Sequence, residues 1–190
     1  MSRGLDGCDI WDRMKARYFN SLMPGVNEQW AADALGMTRY LKAGPDLIDS
    51  KKIIEVKFTL LVPESVDPNV RNRNYVSWRV LDHQVRYGKD FGMPFYFLMG
   101  TYSLDRRVRD INGGDSLGDM VTKRETWIVT PDWVDGFKTY SQTGRTRISE
   151  WENYIKFAKR SLLPRTYKNI RRDGADIHLT AGVKRSLVGG

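Results

Sequence analysis

The sequence contains almost none of the residues that build disulfide frameworks or sulfur and imidazole metal sites. Its one cysteine, Cys8, rules out an intrachain disulfide and a zinc site with several thiolates, and its two histidines argue against a site with several imidazoles. It has no run of about eighteen uncharged apolar residues, and residues 1–6 lack the apolar stretch of a signal peptide. We therefore expect an intracellular, cytoplasmic protein without a membrane partner.

Positive charge is in clear excess. The 190 residues include 31 Lys and Arg against 23 Asp and Glu, a formal net charge of +8 with an isoelectric point near 9.6. Such a balance attracts polyanions such as nucleic acid, although a basic surface can also serve solubility alone. With 41% hydrophobic residues the chain can bury a core, and its length suits one domain.

Hydrophobic periodicity predicts an alternation of helices and strands. Pro24 and Gly25 separate two helical patterns, and Gly36 suits the left-handed position that ends a helix. The predicted helices cover 9–23, 27–35, 77–91 and 149–162, and the predicted strands cover 37–41, 95–102 and 125–130. We expect a single domain over 1–164, followed by a basic, weakly ordered tail over 165–190.

The segment 46–61 has the pattern of a β-hairpin. Two apolar runs flank Asp49-Ser50-Lys51-Lys52, and a turn centred on Ser50 and Lys51 makes Asp46 face Glu55. Like charges on directly opposed strand positions are destabilising unless something neutralises them. Oxygen ligands without clustered sulfur or imidazole suit a hard ion, so the pair predicts a site for Mg²⁺ or Mn²⁺.

A lysine accompanies this pair of carboxylates. Strand alternation places Glu55 and Lys57 on one face, opposite the apolar side chains of Ile54 and Val56. A lysine beside a bound divalent cation can orient an attacking water and stabilise charge on a phosphorane, which is the chemistry of phosphodiester hydrolysis. The bland alternative is a solvent-facing strand with a cross-strand ion pair.

These residues resemble the PD-(D/E)XK nuclease superfamily, which includes restriction endonucleases, archaeal Holliday junction resolvases and RecB-type exonucleases. The resemblance covers about residues 26–102. It rests on Gly44-Pro45-Asp46 followed after eight residues by Glu55-Val56-Lys57, with Gly36 placed as in the resolvase branch. It implies an α/β fold: a restriction-endonuclease-like αβββαβ core with a central mixed sheet flanked by helices, followed here by a C-terminal helical extension. Residues 103–190 match no pattern of the family.

The resemblance also implies roles for individual residues. Asp46, Glu55 and the Val56 carbonyl would bind Mg²⁺ or Mn²⁺. Lys57 would orient the attacking water, and Glu28 would be an outer ligand of the cation. RecB-type enzymes carry a glutamine and a tyrosine on the later helix. Gln84 and Tyr87 have a different spacing, so Gln84 is an accessory candidate only.

The implied activity is a metal-dependent DNA endonuclease that works as a homodimer, with branched DNA as one candidate substrate. The runner-up is a nucleic-acid-binding protein of the same fold that does not cleave, or a basic structural protein. Arginines near the site in sequence are candidate phosphate contacts. They are Arg71, Arg73 and Arg79, together with Arg106 and Arg107 in an irregular segment.

Overall fold

The computed structural model describes residues 7–61, 76–81, 83–112, 114–135, 140–142, 152–157, 166–172 and 175–184. The helices are α1 (Gly7–Leu35), α2 (Tyr87–Phe91) and α3 (Pro131–Asp135), with short 3₁₀ turns at Gln84–Arg86 and Val108–Asp110. The strands are β1 (Thr38–Arg39), β2 (Leu47–Ile48), β3 (Ile53–Leu60), β4 (Val76–Leu81), β5 (Phe95–Leu104), β6 (Val121–Val129), β7 (Tyr140–Gln142), β8 (Glu152–Phe157), β9 (Thr166–Arg172) and β10 (Ala175–Thr180). The described residues include no helix of the length and apolarity needed to cross a membrane.

The prediction of an α/β fold is confirmed. Seven strands form a mixed sheet in the order β1-β2-β3-β5-β6-β10-β9, and β4, β8 and β7 form a second sheet. Strand β3 runs parallel to β5, and β10 runs parallel to β6. The hairpin register is also as predicted, because Leu47 pairs with Ile54 and Ile48 with Ile53.

The large sheet buries side chains on both faces, as alternation along its strands requires. One face packs against α1 through the buried side chains of Ala31, Leu35, Ile54 and Leu98. The opposite face has its own buried cluster, with Trp78 of β4 and Tyr87 of α2. The sheet is therefore covered by α1 on one side and by β4 and α2 on the other.

A close approach between two neighbouring strands shapes the α1 face of the sheet. The ring of Phe58 lies over Gly100, where an added Cβ would come within 2.4 Å of the ring. The indole nitrogen of Trp78 donates to the Gly100 carbonyl at 2.7 Å from the other sheet. Gly100 thus provides both the space for Phe58 and an anchor for β4.

The prediction of two helices before Gly36 is wrong in one respect. Helix α1 continues through Pro24, although an interior proline removes one hydrogen bond and is costly. Buried Phe19 and Met23 precede the proline, and buried Ala31 and Leu35 follow it. Packing on both sides of Pro24 therefore outweighs the local break. The helix ends before Gly36, whose φ of 63° is positive, as predicted.

The prediction of one helix over 77–91 is wrong for its first half. Trp78 and Val80 are each 2% exposed while Arg79 between them is exposed, which is the two-residue period of a strand. An apolar stripe of Trp78, Leu81 and Val85 fits a helix equally well, so the local pattern was ambiguous. Pairing of β4 with β8 decides for the strand.

The C-terminal helical extension and the weakly ordered tail are also corrected. Residues 152–157 form β8, which pairs with both β4 and β7, where a helix over 149–162 was expected. Within 165–190, strands β9 and β10 complete the large sheet, and Ile177 and Leu179 are fully buried. The boundary proposed at residue 164 therefore does not separate the sheet from a tail.

Candidate active site

An open cleft of about 490 Å³ lies along the edge of β3. Strand β2 has two residues and pairs with β3 only at Ile53 and Ile54, so among the described strands nothing pairs with this edge from Glu55 onward. Its lining comes from α1, β3, β4 and the segments next to them. The lining residues are Asn20, Met23, Pro24, Asn27, Glu28, Asp46, 56–60, Arg79, Leu81, Gln84 and Tyr102. Residues predicted to be functional thus meet where strand pairing stops.

Asp46 is held at the point where β2 leaves the edge of β3. Its Oδ2 atom accepts the backbone N–H of Val56 at 2.7 Å, and this bond replaces the next rung of the ladder. Because the N–H and C=O of one strand residue point the same way, the Val56 carbonyl faces the same edge. The carboxylate and the carbonyl predicted to bind metal are therefore on one side of β3.

Glu55 is the most deeply buried of the predicted site residues, with 2% of its surface exposed. Its Oε1 atom accepts hydrogen bonds from Lys57 Nζ at 2.6 Å and from Gln84 Nε2 at 2.5 Å. Its Oε2 atom is buried and has no hydrogen-bond partner. A buried carboxylate oxygen without a donor is costly, which makes it a strong candidate to bind a cation.

The electrostatics follow from burial of two neighbouring acids. The pKa of Glu55 is raised to about 7, mainly by burial against the lowering effect of Lys57, with smaller increases from the charges of Asp46 and Glu28. The pKa of Asp46 is also raised, mainly by burial, against the lowering effects of the Val56 N–H and Lys57. Without a cation, the two carboxyl groups are thus hard to ionise together.

Gln84 fixes the orientation of Glu55. While its Nε2 donates to Glu55, its Oε1 accepts the backbone N–H of Leu81 at 2.9 Å, so the amide bridges the end of β4 to the carboxylate. The neighbouring Tyr87 is buried, and burial followed by the charges of Glu55 and Asp46 raises its pKa to about 12. The accessory residue named from the sequence therefore contacts the central carboxylate.

Glu28 lines the same cleft from α1 but is engaged elsewhere. Its Oε2 accepts a hydrogen bond from Arg39 Nη2 at 2.7 Å. Arg39 was not predicted as a site residue, and the only available signal was its place in the strand next to the predicted hairpin. Within the described ranges, no three Asp, Glu, His or Cys side chains form a group that could hold a metal ion.

The predicted DNA-contacting arginines have different surroundings. Arg79 is exposed and lines the cleft. Arg106 pairs with Asp105 at 2.9 Å and with Asp115 at 3.5 Å, and neither it nor Arg107 lines the cleft. Two further candidates, at positions 71 and 73, lie outside the described residues. Of the three described arginines, the structure therefore brings one to the candidate site.

The donor set of the cleft fits a small hard cation. Two carboxylates and a carbonyl supply only oxygen, and Mg²⁺ commonly takes one or two protein carboxylates and completes its octahedron with water and substrate phosphate. The unpartnered Glu55 Oε2 is the atom in this set that most needs a positive partner. Comparisons of the chain with protein-family models, curated proteins and solved structures find no match.

Proposed function

We propose that the chain is a Mg²⁺- or Mn²⁺-dependent deoxyribonuclease of the PD-(D/E)XK type. The proposal rests above all on one observation. The buried Oε2 of Glu55 has no hydrogen-bond partner, and Glu55 lies next to Asp46 and Lys57, which line the open cleft. An ion pair of Lys57 with Oε1 does not by itself account for the burial of the second oxygen next to another acid, Asp46.

In this mechanism Asp46, Glu55 and the Val56 carbonyl would hold the cation. The cation would supply Lewis-acid activation of the phosphate and of a water. Lys57 would orient that water and stabilise negative charge as it develops on the phosphate oxygens. Gln84 would keep Glu55 in one rotamer so that Oε2 faces the cation.

Charge complementarity supports DNA as the substrate. The formal net charge of +8 and Arg79 in the cleft wall favour a polyanion. Contacts by Arg71, Arg73, Arg106 and Arg107 stay predictions, as do action on branched DNA and a homodimer. The order α1, β1, β2, β3, β4, α2, β5 supports a restriction-endonuclease-like core in which β4 of the second sheet is inserted after β3, and that fold is part of the proposal.

A cleavage panel with a matched pair of variants tests the proposal. Branched, duplex and single-stranded DNA are incubated with the wild type, Lys57→Ala and Lys51→Ala in Mg²⁺ or Mn²⁺. Both variants remove one positive charge from the same hairpin, but Lys51 is exposed on the turn and does not line the cleft. We expect Lys57→Ala to lose cleavage while retaining DNA affinity, and Lys51→Ala to cleave normally. Equal turnover in both would refute the mechanism.

A non-catalytic DNA-binding protein is the second candidate. It is favoured by the 2.6 Å pair of Lys57 with Glu55. It is also favoured because no three Asp, Glu, His or Cys side chains among those described form a group that could hold a metal ion. Such a protein would bind all DNA forms with strong salt dependence and without a metal requirement. Binding of that kind, with no cleavage of any substrate, would decide for this candidate.

A further inference from the structure

Glu28 and Asp46 line one cleft, yet only Asp46 is available there. The Glu28 carboxylate is turned to Arg39, with Oε2 at 2.7 Å from Nη2. Asp46 instead uses one oxygen for the Val56 N–H. The cleft thus contains a third carboxylate that is already engaged by a cationic side chain.

The backbone that supports this contact is well anchored. Strand β1 pairs with β2 so that Arg39 is opposite Leu47, and the Tyr40 N–H donates to the Asp46 carbonyl at 2.8 Å. Glu28 is held by α1, whose next turns are buried against the sheet. Both residues therefore keep fixed backbone positions, and Glu28 lines the same cleft as Asp46.

The contact itself is weaker than an arginine can make. Arg39 uses a single nitrogen, and its Nε is buried without a partner, whereas a bidentate guanidinium pair would use two. The Arg39 and Glu28 side chains are 30% and 22% exposed, respectively. A partly exposed pair of this kind shifts a competing equilibrium by about fivefold at most.

Building on the proposed metal site, we propose that Arg39 is a positioning residue that competes with the divalent cation for Glu28. In the metal-free protein Arg39 holds the Glu28 carboxylate at the cleft wall. Binding of the cation exchanges this contact for one between Glu28 and the cation. The ion pair therefore weakens metal affinity. Without the cation, it also lowers the number of carboxylates in the cleft that have no cationic partner.

A double-mutant cycle on Mn²⁺ affinity tests this competition. Calorimetric titrations are made on the wild type, Arg39→Met, Glu28→Gln and the double variant, without DNA. We expect Arg39→Met to tighten Mn²⁺ binding about fivefold in the wild-type background and less than about twofold with Glu28→Gln, where only a nearby charge is lost. Arg39→Lys keeps the charge and should bind Mn²⁺ nearly as the wild type does.

The alternatives give different results. If Arg39→Met changes Mn²⁺ affinity equally in both backgrounds, Arg39 acts only through its charge. If Arg39→Met weakens Mn²⁺ binding, Arg39 supports the structure of the site. Either result refutes competition between Arg39 and the cation for Glu28. Thermal melts establish that each variant is folded, and Arg39→Gln replaces Arg39→Met if the latter is not. A wild type that does not bind Mn²⁺ refutes the proposed metal site as well, whereas binding without coupling refutes only the role of Arg39.

Discussion

The raised pKa of Glu55 predicts an unusual dependence of stability on pH in the metal-free protein. The folded state holds the Glu55 proton up to about pH 7, whereas the unfolded chain releases it near the ordinary value of 4.5. Between these values the folded state binds more protons, so the free energy of unfolding falls as pH rises. From pH 5 to pH 8 the two pKa values correspond to a loss of about 2.5 kcal/mol.

Urea unfolding in the presence of a chelator measures this loss. The free energy of unfolding is determined at several pH values between 5 and 8 for the wild type and for Glu55→Gln. The amide retains an oxygen to accept from Lys57 and Gln84 but cannot ionise. Subtracting the two profiles removes the contributions of the other titrating groups. We expect the difference to follow the curve of a single buried acid.

One outcome would refute the reasoning. If the stability of the wild type, relative to Glu55→Gln, stays constant over the same pH range, Glu55 is already ionised in the folded state at pH 5. The 2.6 Å contact with Lys57 would then outweigh burial, and the group would be an ordinary structural ion pair. Saturating Mn²⁺ at pH 8 should also restore the lost stability, because a ligand that binds only the folded state stabilises it.

Three further predictions concern single side chains. Asp46→Asn keeps an acceptor for the Val56 N–H but removes a buried charge. Calorimetry should therefore show loss of Mn²⁺ binding, and melts should show equal or higher stability of the metal-free protein. A decrease of several kcal/mol in that stability would contradict this. Arg79→Ala should lower the log–log salt slope of DNA binding by about one unit, and an unchanged slope would place the DNA elsewhere. Trp78→Phe loses the 2.7 Å bond to the Gly100 carbonyl and should cost about 1 to 3 kcal/mol in urea unfolding; no cost would mean that water replaces the bond.

The sequence predicts the hairpin well because its determinants are local. The turn residues set the register, and alternation of Ile54 and Val56 with Glu55 and Lys57 sets the faces. These two features fix the approximate place of the carboxylates and the lysine without knowledge of the remaining fold. The nearby contact of Gln84 with Glu55 could be suspected only through the resemblance to a family.

The wrong secondary-structure predictions involve strands whose pairing partners are distant along the chain. Strand β4 forms because it pairs with β8, and β10 forms because it pairs with β6. A short apolar segment fits the period of a helix and that of a strand equally well, so the local sequence does not predict either strand. The partner of Glu28 is similarly hidden. An acid in a helix has many lysines and arginines available in this basic chain, and only the fold selects Arg39.

The missing side chain at position 100 has a consequence for the shape of the cleft. Phe58 lines the cleft, and its ring can pack this closely against β5 only because Gly100 presents no Cβ there. Its edge contacts with Trp30 and Tyr102, at centroid distances of 5.9 and 6.3 Å, hold it in that place. The width of the ligand that the cleft admits is therefore controlled by a residue of a neighbouring strand. This residue does not line the cleft and carries no functional group.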